Sequence, residues 1–278
     1  MKPISQQACT AFRAYLIQAE KASATVEKYV RDAERFRRWL GARPLCKEAV
    51  LAYKAELLRT YAPASVNATL SSLNAFFVFA GRSDCRVKAL RIQRRQFASE
   101  ERELSKAEYE RLLSAAKQKN RRLWLVMQAI CSTGIRISEL QYITAEAAAR
   151  GKADVQNKGK ARQILLSQAL CRALLQYAKE QDITEGPIFR TRSGKPLDRS
   201  NVWGDMKSLC KAAGVDPRKV FPHNLRHLFS RTHYLLYKDV VHLADLLGHA
   251  SINTTRIYTR ENICLYKQQI ENLDLLKC

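Results

Sequence analysis

The sequence lacks the patterns that mark several classes of protein. Its eight cysteines are widely spaced, with no Cys-x-x-Cys pair and no Cys/His cluster, which argues against zinc and is typical of reduced thiols in the cytosol. No apolar run approaches the ~18 residues that suggest a membrane-spanning helix, and we recognise no signal peptide. Internal repeats, low-complexity segments and carboxylate clusters typical of metal sites are missing too. We therefore expect a cytoplasmic protein that spans no membrane and needs no metal ion.

Acidic residues are scarce relative to basic ones. The 278 residues include 48 Lys and Arg against 26 Asp and Glu, a formal net charge of +22, and the excess is divided evenly between residues 1–95 and the remainder. Duplex DNA carries one negative charge per ~1.7 Å of its axis, so a basic chain gains affinity by releasing counterions. A basic surface can also serve solubility only. The size of this excess favours a nucleic acid partner and a nucleoid-associated place in a bacterial cytoplasm.

Residues 1–90 have the pattern of a helical domain. Apolar residues recur at helical spacing in SATVEKYVRDAERFRRWLG, where Gly41 is placed to end the helix. A second such pattern, APASVNATLSSLNAFFVFAG, has Pro63 and Ser65 at its start and Gly81 at its end. The polar face of the first helix carries Lys28, Arg31, Arg35, Arg37 and Arg38. A charged face is usually only solvated, but the single sign makes DNA contact equally reasonable.

The rest of the chain follows a polar, weakly periodic segment, KALRIQRRQFASEERE, which predicts an interdomain linker over residues 91–102. Residues 103–278 open with a candidate capping box between Ser105 and Glu108 and are largely helical. The exception is KADVQNKGKARQILLS, which predicts a β-hairpin with a basic tip. Apolar residues at helical spacing predict a terminal amphipathic helix, and they are Ile263, Tyr266, Ile270 and Leu273.

Five residues in four short motifs suggest chemistry on a phosphodiester. Tyr258, in TTRIYT, follows His249 of LLGHAS by nine residues, and upstream lie Arg136 in TGIRISEL and the pair His223 and Arg226 in PHNLRH. The pair is spaced i, i+3 on a predicted helix, so both side chains share one face. Tyrosine is a poor nucleophile at neutral pH because its hydroxyl titrates near ~10. It becomes effective where cations hold an anionic electrophile, and two arginines with two histidines suit a phosphate.

The order TGIRISEL, KGK hairpin, HNLRH and LLGHASINTTRIYT resembles the tyrosine recombinase, or phage integrase, family. In layout it is similar to Xer-type and mobile-element integrases, over nearly the whole chain. The resemblance implies a fold that is mainly α-helical with a small β-sheet. An N-terminal helical core-binding (SAM-like) domain and an α+β catalytic domain would together form a clamp around DNA.

The same resemblance implies a role for each residue. Arg136 and Arg226 would hold non-bridging phosphate oxygens, since a guanidinium fork makes two parallel hydrogen bonds that lysine cannot copy. His223 would be a proton acceptor or hydrogen-bond donor at the reacting oxygens, and His249 a donor to the scissile phosphate. Tyr258 would attack, and its covalent phosphotyrosine would preserve the bond energy. Rejoining would then need neither ATP nor a cofactor.

Two further assignments keep alternatives. The leaving 5′-oxygen needs a proton, which in the family comes from a hairpin lysine; Lys158 matches best and Lys160 is the alternative. Either lysine could instead be an ordinary phosphate contact. Glu139 is interpreted as orienting neighbouring catalytic side chains, although a simple ion pair with Arg136 would explain it as well. His249 has a structural alternative as a helix C-cap.

The implied function is site-specific recombination. Cleavage would give a 3′-phosphotyrosyl link, and strands would be exchanged through a Holliday junction by four protomers on inverted-repeat sites. The outcome would be integration or excision of a mobile element or Xer-like resolution, with accessory DNA-bending or recombination factors as further partners. The terminal helix would dock on a neighbouring protomer or pack on its own.

Two rival functions share parts of this pattern. A type IB topoisomerase-like enzyme would use the same chemistry to relax supercoils as a monomer. A non-catalytic DNA-binding regulator could keep the fold without the reaction. Two departures from the family pattern leave the subfamily open: ITAEAAARGKAD lacks the common Trp-Asp signature, and Tyr237-Lys238 stands where many relatives carry a glycine turn.

Overall fold

The computed structural model describes residues 4–92, 102–157, 160–191, 193–249, 251–255 and 271–272. The chain divides into two compact units, Met1–Arg94 and Arg95–Cys278. The described residues are mainly helical, with one two-stranded sheet, which confirms the predicted fold class. Within these ranges no helix is both long and apolar enough to cross a membrane.

The described part of the first unit is a helical bundle with an aromatic core. Its elements are α1 (Gln6–Gln18), α2 (Ser23–Leu40), α3 (Lys47–Thr60), α4 (Pro63–Phe79) and a 3-10 turn (Ser83–Cys85). Phe12 and Phe76 meet edge to face at 5.2 Å between ring centroids, and Phe36 meets Phe77 in the same way. These rings fill the space that α2 shares with α4, so the bundle has a core of its own.

The predicted helix ends in this unit are confirmed. Helix α2 ends at Leu40, and Gly41 follows with φ +62°. Helix α4 begins at Pro63, where the missing N–H costs nothing because the first turn has no partner for it. Gly81, with φ +67°, lies just beyond its end.

Part of the basic face of α2 is used within the unit. Lys28 Nζ lies 2.6 Å from Asp32 Oδ2 and 3.0 Å from Ser72 Oγ, and the Ser72 hydroxyl donates to the same carboxylate. Arg35 Nε donates to the Tyr53 hydroxyl at 3.0 Å. These contacts join α2 to α4 and to α3, so this part of the charged face is structural.

Two asparagines on α4 hold the chain that leaves the bundle. The Asn74 side-chain amide donates to the Val87 carbonyl at 2.9 Å and accepts from the Val87 N–H at 3.0 Å. Asn67 binds Leu90 in the same two-way manner, at 2.9 and 2.7 Å. Each amide therefore satisfies both backbone groups of one residue, as a strand partner would. Most of the predicted linker, 91–102, lies outside the described residues, so its boundaries stay a prediction.

The second unit contains the predicted hairpin among helices. Its helices are α5 (Lys106–Lys119), α6 (Arg121–Thr133), α7 (Ala145–Arg150), α8 (Gln168–Glu180), α9 (Arg199–Lys207), α10 (Cys210–Ala213), α11 (Pro222–Tyr237), α12 (Val240–Leu247) and α13 (Ile252–Thr255). Short 3-10 turns span Ile137–Tyr142 and Pro217–Lys219. Strands β1 (Lys152–Asn157) and β2 (Lys160–Leu165) pair antiparallel, from Lys152 opposite Leu165 to Asn157 opposite Lys160. The capping box of α5 is present as predicted.

Helix α6 packs against α11, and this contact brings distant motifs together. Gly134 ends α6 in the left-handed region, with φ +65°. A Cβ added there would lie 2.5 Å from Phe229 Cδ1 and 2.9 Å from Leu247 Cδ2. Only glycine therefore allows the end of α6 to approach α11 and α12 this closely.

Helix α11 ends at the Tyr237-Lys238 turn, which contains no glycine. Lys238 adopts φ +53° at this position, and its N–H donates to the Tyr234 carbonyl. Asp239 then caps α12 by accepting from the N–H groups of Val241 and His242. The turn therefore forms with a lysine at positive φ, which costs steric strain because a Cβ crowds the backbone in the left-handed region.

Candidate active site

Four of the six predicted catalytic side chains meet in the second unit. Arg136 precedes the 3-10 turn after α6, His223 and Arg226 lie on the first turns of α11, and His249 follows α12. The first three line one open cleft of about 1290 Å³, and His249 contacts Arg226. Residues more than a hundred positions apart in sequence thus share one site.

Arg226 is a buried cation held by the ends of two helices. Only 1% of the residue is exposed. Its guanidinium donates to the carbonyl of Gly134, at the end of α6, and at 2.8 Å to that of Leu247, which ends α12. The last carbonyls of a helix have no partner within it and carry a partial negative charge. They therefore stabilise a positive charge that would otherwise be costly to bury.

Glu139 is a buried carboxylate between two arginines. It is 1% exposed and accepts from Arg136 twice, at 2.9 Å from the backbone N–H and at 3.0 Å from Nη1. Arg162 Nη2 lies 2.5 Å from Oε2, the oxygen that also accepts from the Arg136 N–H. The Arg136 side chain remains 34% exposed. The ion pair expected as the plain alternative is thus present, and it also orients Arg136 towards the cleft.

Arg162 was not among the predicted site residues. From β2 it donates to the Leu246 carbonyl at 2.6 Å as well as to Glu139. Its side chain packs so closely against Gly248, which has φ +60°, that a Cβ there would lie 2.7 Å from Nε. A sequence signal existed: Arg162 shares the inward face of the strand with Ile164, where a charged side chain needs a buried partner.

The imidazole of His249 makes a hydrogen-bond contact through each of its two ring nitrogens. Its Nε2 lies 3.0 Å from Arg226 Nη2, and its Nδ1 lies 2.8 Å from Thr255 Oγ1. Its backbone N–H also donates to the Ala244 carbonyl at 3.0 Å, just after the Gly248 C-cap. The structural alternative for His249 is therefore realised in its backbone, while its side chain faces the site.

Burial lowers the pKa of His249 to about 4, with further lowering by the positive charges of Arg226, Arg136, Arg162 and then His223. Since its ordinary pKa is near ~6.5, the ring is neutral at pH 7. Burial, together with the field of the arginines that would attract a phosphate, thus keeps this histidine uncharged in the free protein.

His223 faces the cleft with His227 behind it. The two rings meet edge to face, with 4.6 Å between their centroids. Desolvation and then the charges of Arg226, Arg136 and Arg199 lower the pKa of His223. Burial followed by the charge of His223 lowers the pKa of His227 to about 4. His227 thus supports the ring of His223, as its i, i+4 spacing allows.

One wall of the cleft comes from α9. Arg199, Trp203 and Lys207 recur every four residues and line it together with Arg218. Trp203 is an exposed tryptophan, with Lys207 Nζ 5.5 Å from its ring centroid. This surface was not predicted, although the spacing of Arg199, Trp203 and Lys207 in RSNVWGDMK indicates it.

The remaining predicted residues are outside what the structure describes. Tyr258 and Lys158 lie outside the described residues, and Lys160 is described only as the first backbone position of β2. Helix α13 ends at Thr255, three residues before Tyr258. The four apolar positions of the predicted terminal helix are likewise outside, so its docking stays a prediction.

Comparison with known proteins identifies relatives along nearly the whole chain. The phage integrase family model matches residues 102–263, and the model for the N-terminal SAM-like domain of phage integrases matches residues 9–84. Tyrosine recombinase XerD of Xanthomonas axonopodis pv. citri is 32% identical over 269 residues, covering 86% of this chain and 87% of the relative. Tyrosine recombinase XerA of Pyrococcus furiosus is 28% identical, covering 99% and 97%.

Solved structures share the fold. A lambda integrase dimer bound to a COC′ core site superposes with a TM-score of 0.75 at 19% identity, covering 95% of this chain and 96% of that one. A lambda integrase tetramer bound to a Holliday junction gives a TM-score of 0.74 at 20% identity, covering 92% of this chain and 77% of that one.

Proposed function

Because the chain belongs to the phage integrase family, we propose that it is a site-specific DNA recombinase that cleaves and rejoins DNA through Tyr258. The observation that carries the proposal is the convergence of Arg136, His223 and Arg226 on one cleft, with His249 bonded to Arg226. Two guanidinium groups and two imidazoles around one space match the charge and shape of a phosphodiester.

The proposed reaction begins when the scissile phosphate enters this cleft. Arg136 and Arg226 hold its non-bridging oxygens, and His249 donates a further hydrogen bond. Tyr258 Oη then attacks phosphorus while the bond to the 5′-oxygen breaks. Charge develops on the phosphorane oxygens, and donors already held in place stabilise it without reorganising. Glu139 contributes by keeping the Arg136 guanidinium directed towards the cleft.

Two proton transfers accompany cleavage. His223, whose lowered pKa leaves it neutral at pH 7, accepts the proton of the tyrosine hydroxyl. The leaving 5′-oxygen takes a proton from Lys158, or from Lys160 in the alternative assignment. A 5′-hydroxyl of a second strand later attacks the phosphotyrosine, so the phosphodiester bond energy is preserved and no ATP is consumed.

We propose duplex DNA with an inverted-repeat site as the partner, bound by four protomers that exchange strands through a Holliday junction. The net charge of +22 and the likeness to a DNA-bound tetramer support this proposal. Residues 1–90 are assigned to core binding, 91–102 to the linker and 103–278 to catalysis and oligomerisation, in a nucleoid-associated cytoplasmic enzyme. Accessory DNA-bending factors are part of the same proposal.

The decisive experiment traps the covalent intermediate. A library of random duplexes, each nicked at one fixed position so that cleavage beside the nick cannot be rejoined, is incubated with the protein. The DNA that stays attached under denaturing conditions is then recovered. The selected duplex is expected to form an adduct with the wild type and with Tyr15→Phe, a control on α1. Tyr258→Phe is expected to form none. An adduct that persists in Tyr258→Phe overturns the nucleophile assignment.

Two further measurements separate the rival functions and test the metal requirement. Relaxation of supercoiled plasmids that lack the selected site would favour a topoisomerase-like enzyme. A DNA-binding regulator predicts no adduct from any variant. Adduct formation is expected to continue in EDTA, and its loss would contradict metal-independent chemistry.

A further inference from the structure

Thr255 is a wholly buried residue with a side-chain hydroxyl. It is the last residue that the structure describes before Tyr258. The residue is 0% exposed, and it is the last residue of α13, which packs on α12. Its Oγ1 lies 2.8 Å from His249 Nδ1. The residues assigned above to the reaction do not include it.

The contact on the opposite side of the His249 ring fixes the position of its proton. Arg226 Nη2 lies 3.0 Å from Nε2, and a guanidinium nitrogen can only donate. Nε2 must therefore accept, the ring proton lies on Nδ1, and Nδ1–H donates to Thr255 Oγ1. One bond on each ring nitrogen sets both the tautomer and the ring plane.

We propose that Thr255 is a positioning residue for His249, an inference that rests on the recombinase function proposed above. Its hydroxyl holds the imidazole so that Nε2 reaches the scissile phosphate, and it links that histidine to the backbone that leads to the nucleophile.

A hydroxyl suits this position because it both donates and accepts. When a phosphate oxygen replaces Nε2 as the acceptor for Arg226, Nε2 has to become a donor. One proton leaves Nδ1 to solvent and one arrives at Nε2 from solvent, so the ring stays neutral. Thr255 then turns from acceptor to donor on Nδ1 while the ring keeps its orientation. A backbone carbonyl at this point could only accept and would oppose the exchange.

The charges around His249 favour this exchange over simple protonation. Arg226 from α11, Arg136 before the 3-10 turn and Arg162 from β2 all act on the ring, as does His223. Together with burial they lower its pKa to about 4. A neutral ring that changes tautomer can become a donor at neutral pH, whereas a charged ring is disfavoured.

The first test measures the tautomer in the DNA-free protein. Long-range proton–nitrogen NMR spectra of the histidine-labelled full chain distinguish Nδ1–H from Nε2–H, and His249→Gln identifies the His249 signals. The wild type is expected to be Nδ1–H, and a wild-type Nε2–H tautomer overturns the proposal without any variant. Thr255→Val, which keeps the shape and removes the hydroxyl, is expected to shift the nitrogen signals towards a mixture of tautomers. Thr255→Ser and the neighbouring control Thr254→Val are expected to leave them unchanged.

The second test measures single-turnover adduct formation on the selected nicked duplex. Thr255→Val is expected to slow it by about tenfold, the effect of one lost hydrogen bond, and Thr255→Ser to restore most of the rate. In a His249→Gln background the same substitution is expected to have no further effect. If Thr255→Val lowers the rate equally in both backgrounds, or if serine does not restore it, Thr255 has a structural role only and the proposal is overturned. If the wild type forms no adduct, the recombinase proposal fails while the NMR result still decides the role of Thr255.

Discussion

Each unit of the chain buries charged side chains, but the two clusters differ in balance and access. In the first unit, Asp32 is matched by Lys28 and Ser72, all within α2 and α4. In the second unit, Glu139 faces Arg136 and Arg162 beside the buried Arg226, and the cluster borders an open cleft. In the described part of that site, Glu139 pairs with two arginines, while Arg226 is held by backbone carbonyls.

The difference is the one expected between a structural ion pair and the anion-binding site that we propose for the cleft. A buried charge is costly unless it is paired, so an excess of cations persists only where other groups compensate. Helix-end carbonyls hold Arg226 in the free protein, and a phosphate would complete the balance. Charge imbalance beside a cleft is therefore the better indicator of function than burial itself.

The largest expected effect comes from removing Arg226. Arg226→Ala leaves two helix-end carbonyls without their donor and is expected to lower the free energy of unfolding by about 4 kcal/mol. Arg226→Lys keeps the charge but loses the planar fork, so it should fold better and still form no adduct. Denaturant unfolding and the suicide duplex measure the two effects. If Arg226→Lys cleaves at the wild-type rate, the positive charge at this position is sufficient and the guanidinium geometry is not required.

The next comparison is between the stability costs of replacing one glycine in each unit by alanine. Gly134→Ala places a Cβ against Phe229 and Leu247 at positive φ and should cost about 3 kcal/mol. Gly81→Ala has a similar φ with no atom within 4 Å of the added Cβ, so only the backbone strain of about 1 kcal/mol is expected. Equal losses in denaturant unfolding would mean that the close approach at Gly134 contributes nothing.

A smaller effect is expected from the balanced cluster of the first unit. Asp32→Ala removes the acceptor shared by Lys28 and Ser72 and should cost about 2 kcal/mol, because the buried Ser72 hydroxyl loses a partner. Adduct formation at saturating DNA should not change, since the described residues that line the cleft all belong to the second unit. A large fall in the single-turnover rate would break the distinction between the two clusters.

The smallest effect is a pH dependence confined to the second unit, where all five histidines lie. The pKa of His227 is about 4 when folded against ~6.5 unfolded, so the unfolded state binds more protons between these values. Stability is complete above pH ~6.5 and declines as pH falls towards 4. The slope for His227 should be below about 1.4 kcal/mol per pH unit, because its ring keeps some solvent contact. Hydrogen exchange at pH 7 and 5 compares the units, and His227→Gln should reduce the loss.

Local features of the fold were predictable because their causes are local. The end of α2 at Leu40, the start of α4 at Pro63 and the capping box of α5 depend on residues within a few positions. The hairpin was predictable for the same reason, since β-prone residues flank a short polar turn. The order of the motifs also predicted that Arg136 and Arg226 share one site, and both line the same cleft.

Arg162 and Thr255 were not predicted, for two different reasons. The partner of Arg162 is distant in sequence, whereas the contact of Thr255 depends on the direction of its side chain. Arg162 binds Leu246, 84 positions later, and no short motif records such a contact. Thr255 lies within the very segment LLGHASINTTRIYT, but spacing does not reveal that its hydroxyl turns inward to His249. Trp203 is different, because its helical spacing with Arg199 and Lys207 was visible.

The sequence by itself determined the chemistry of the side chains, the helix ends and the family. Only the tertiary structure decided that Arg226 is buried against two helix ends, that Glu139 serves two arginines and that His249 lies between Arg226 and Thr255. The physical reason is that burial, charge balance and hydrogen bonding depend on which groups meet across the packing of α6, α11 and α12. Those contacts arise only when the chain has folded.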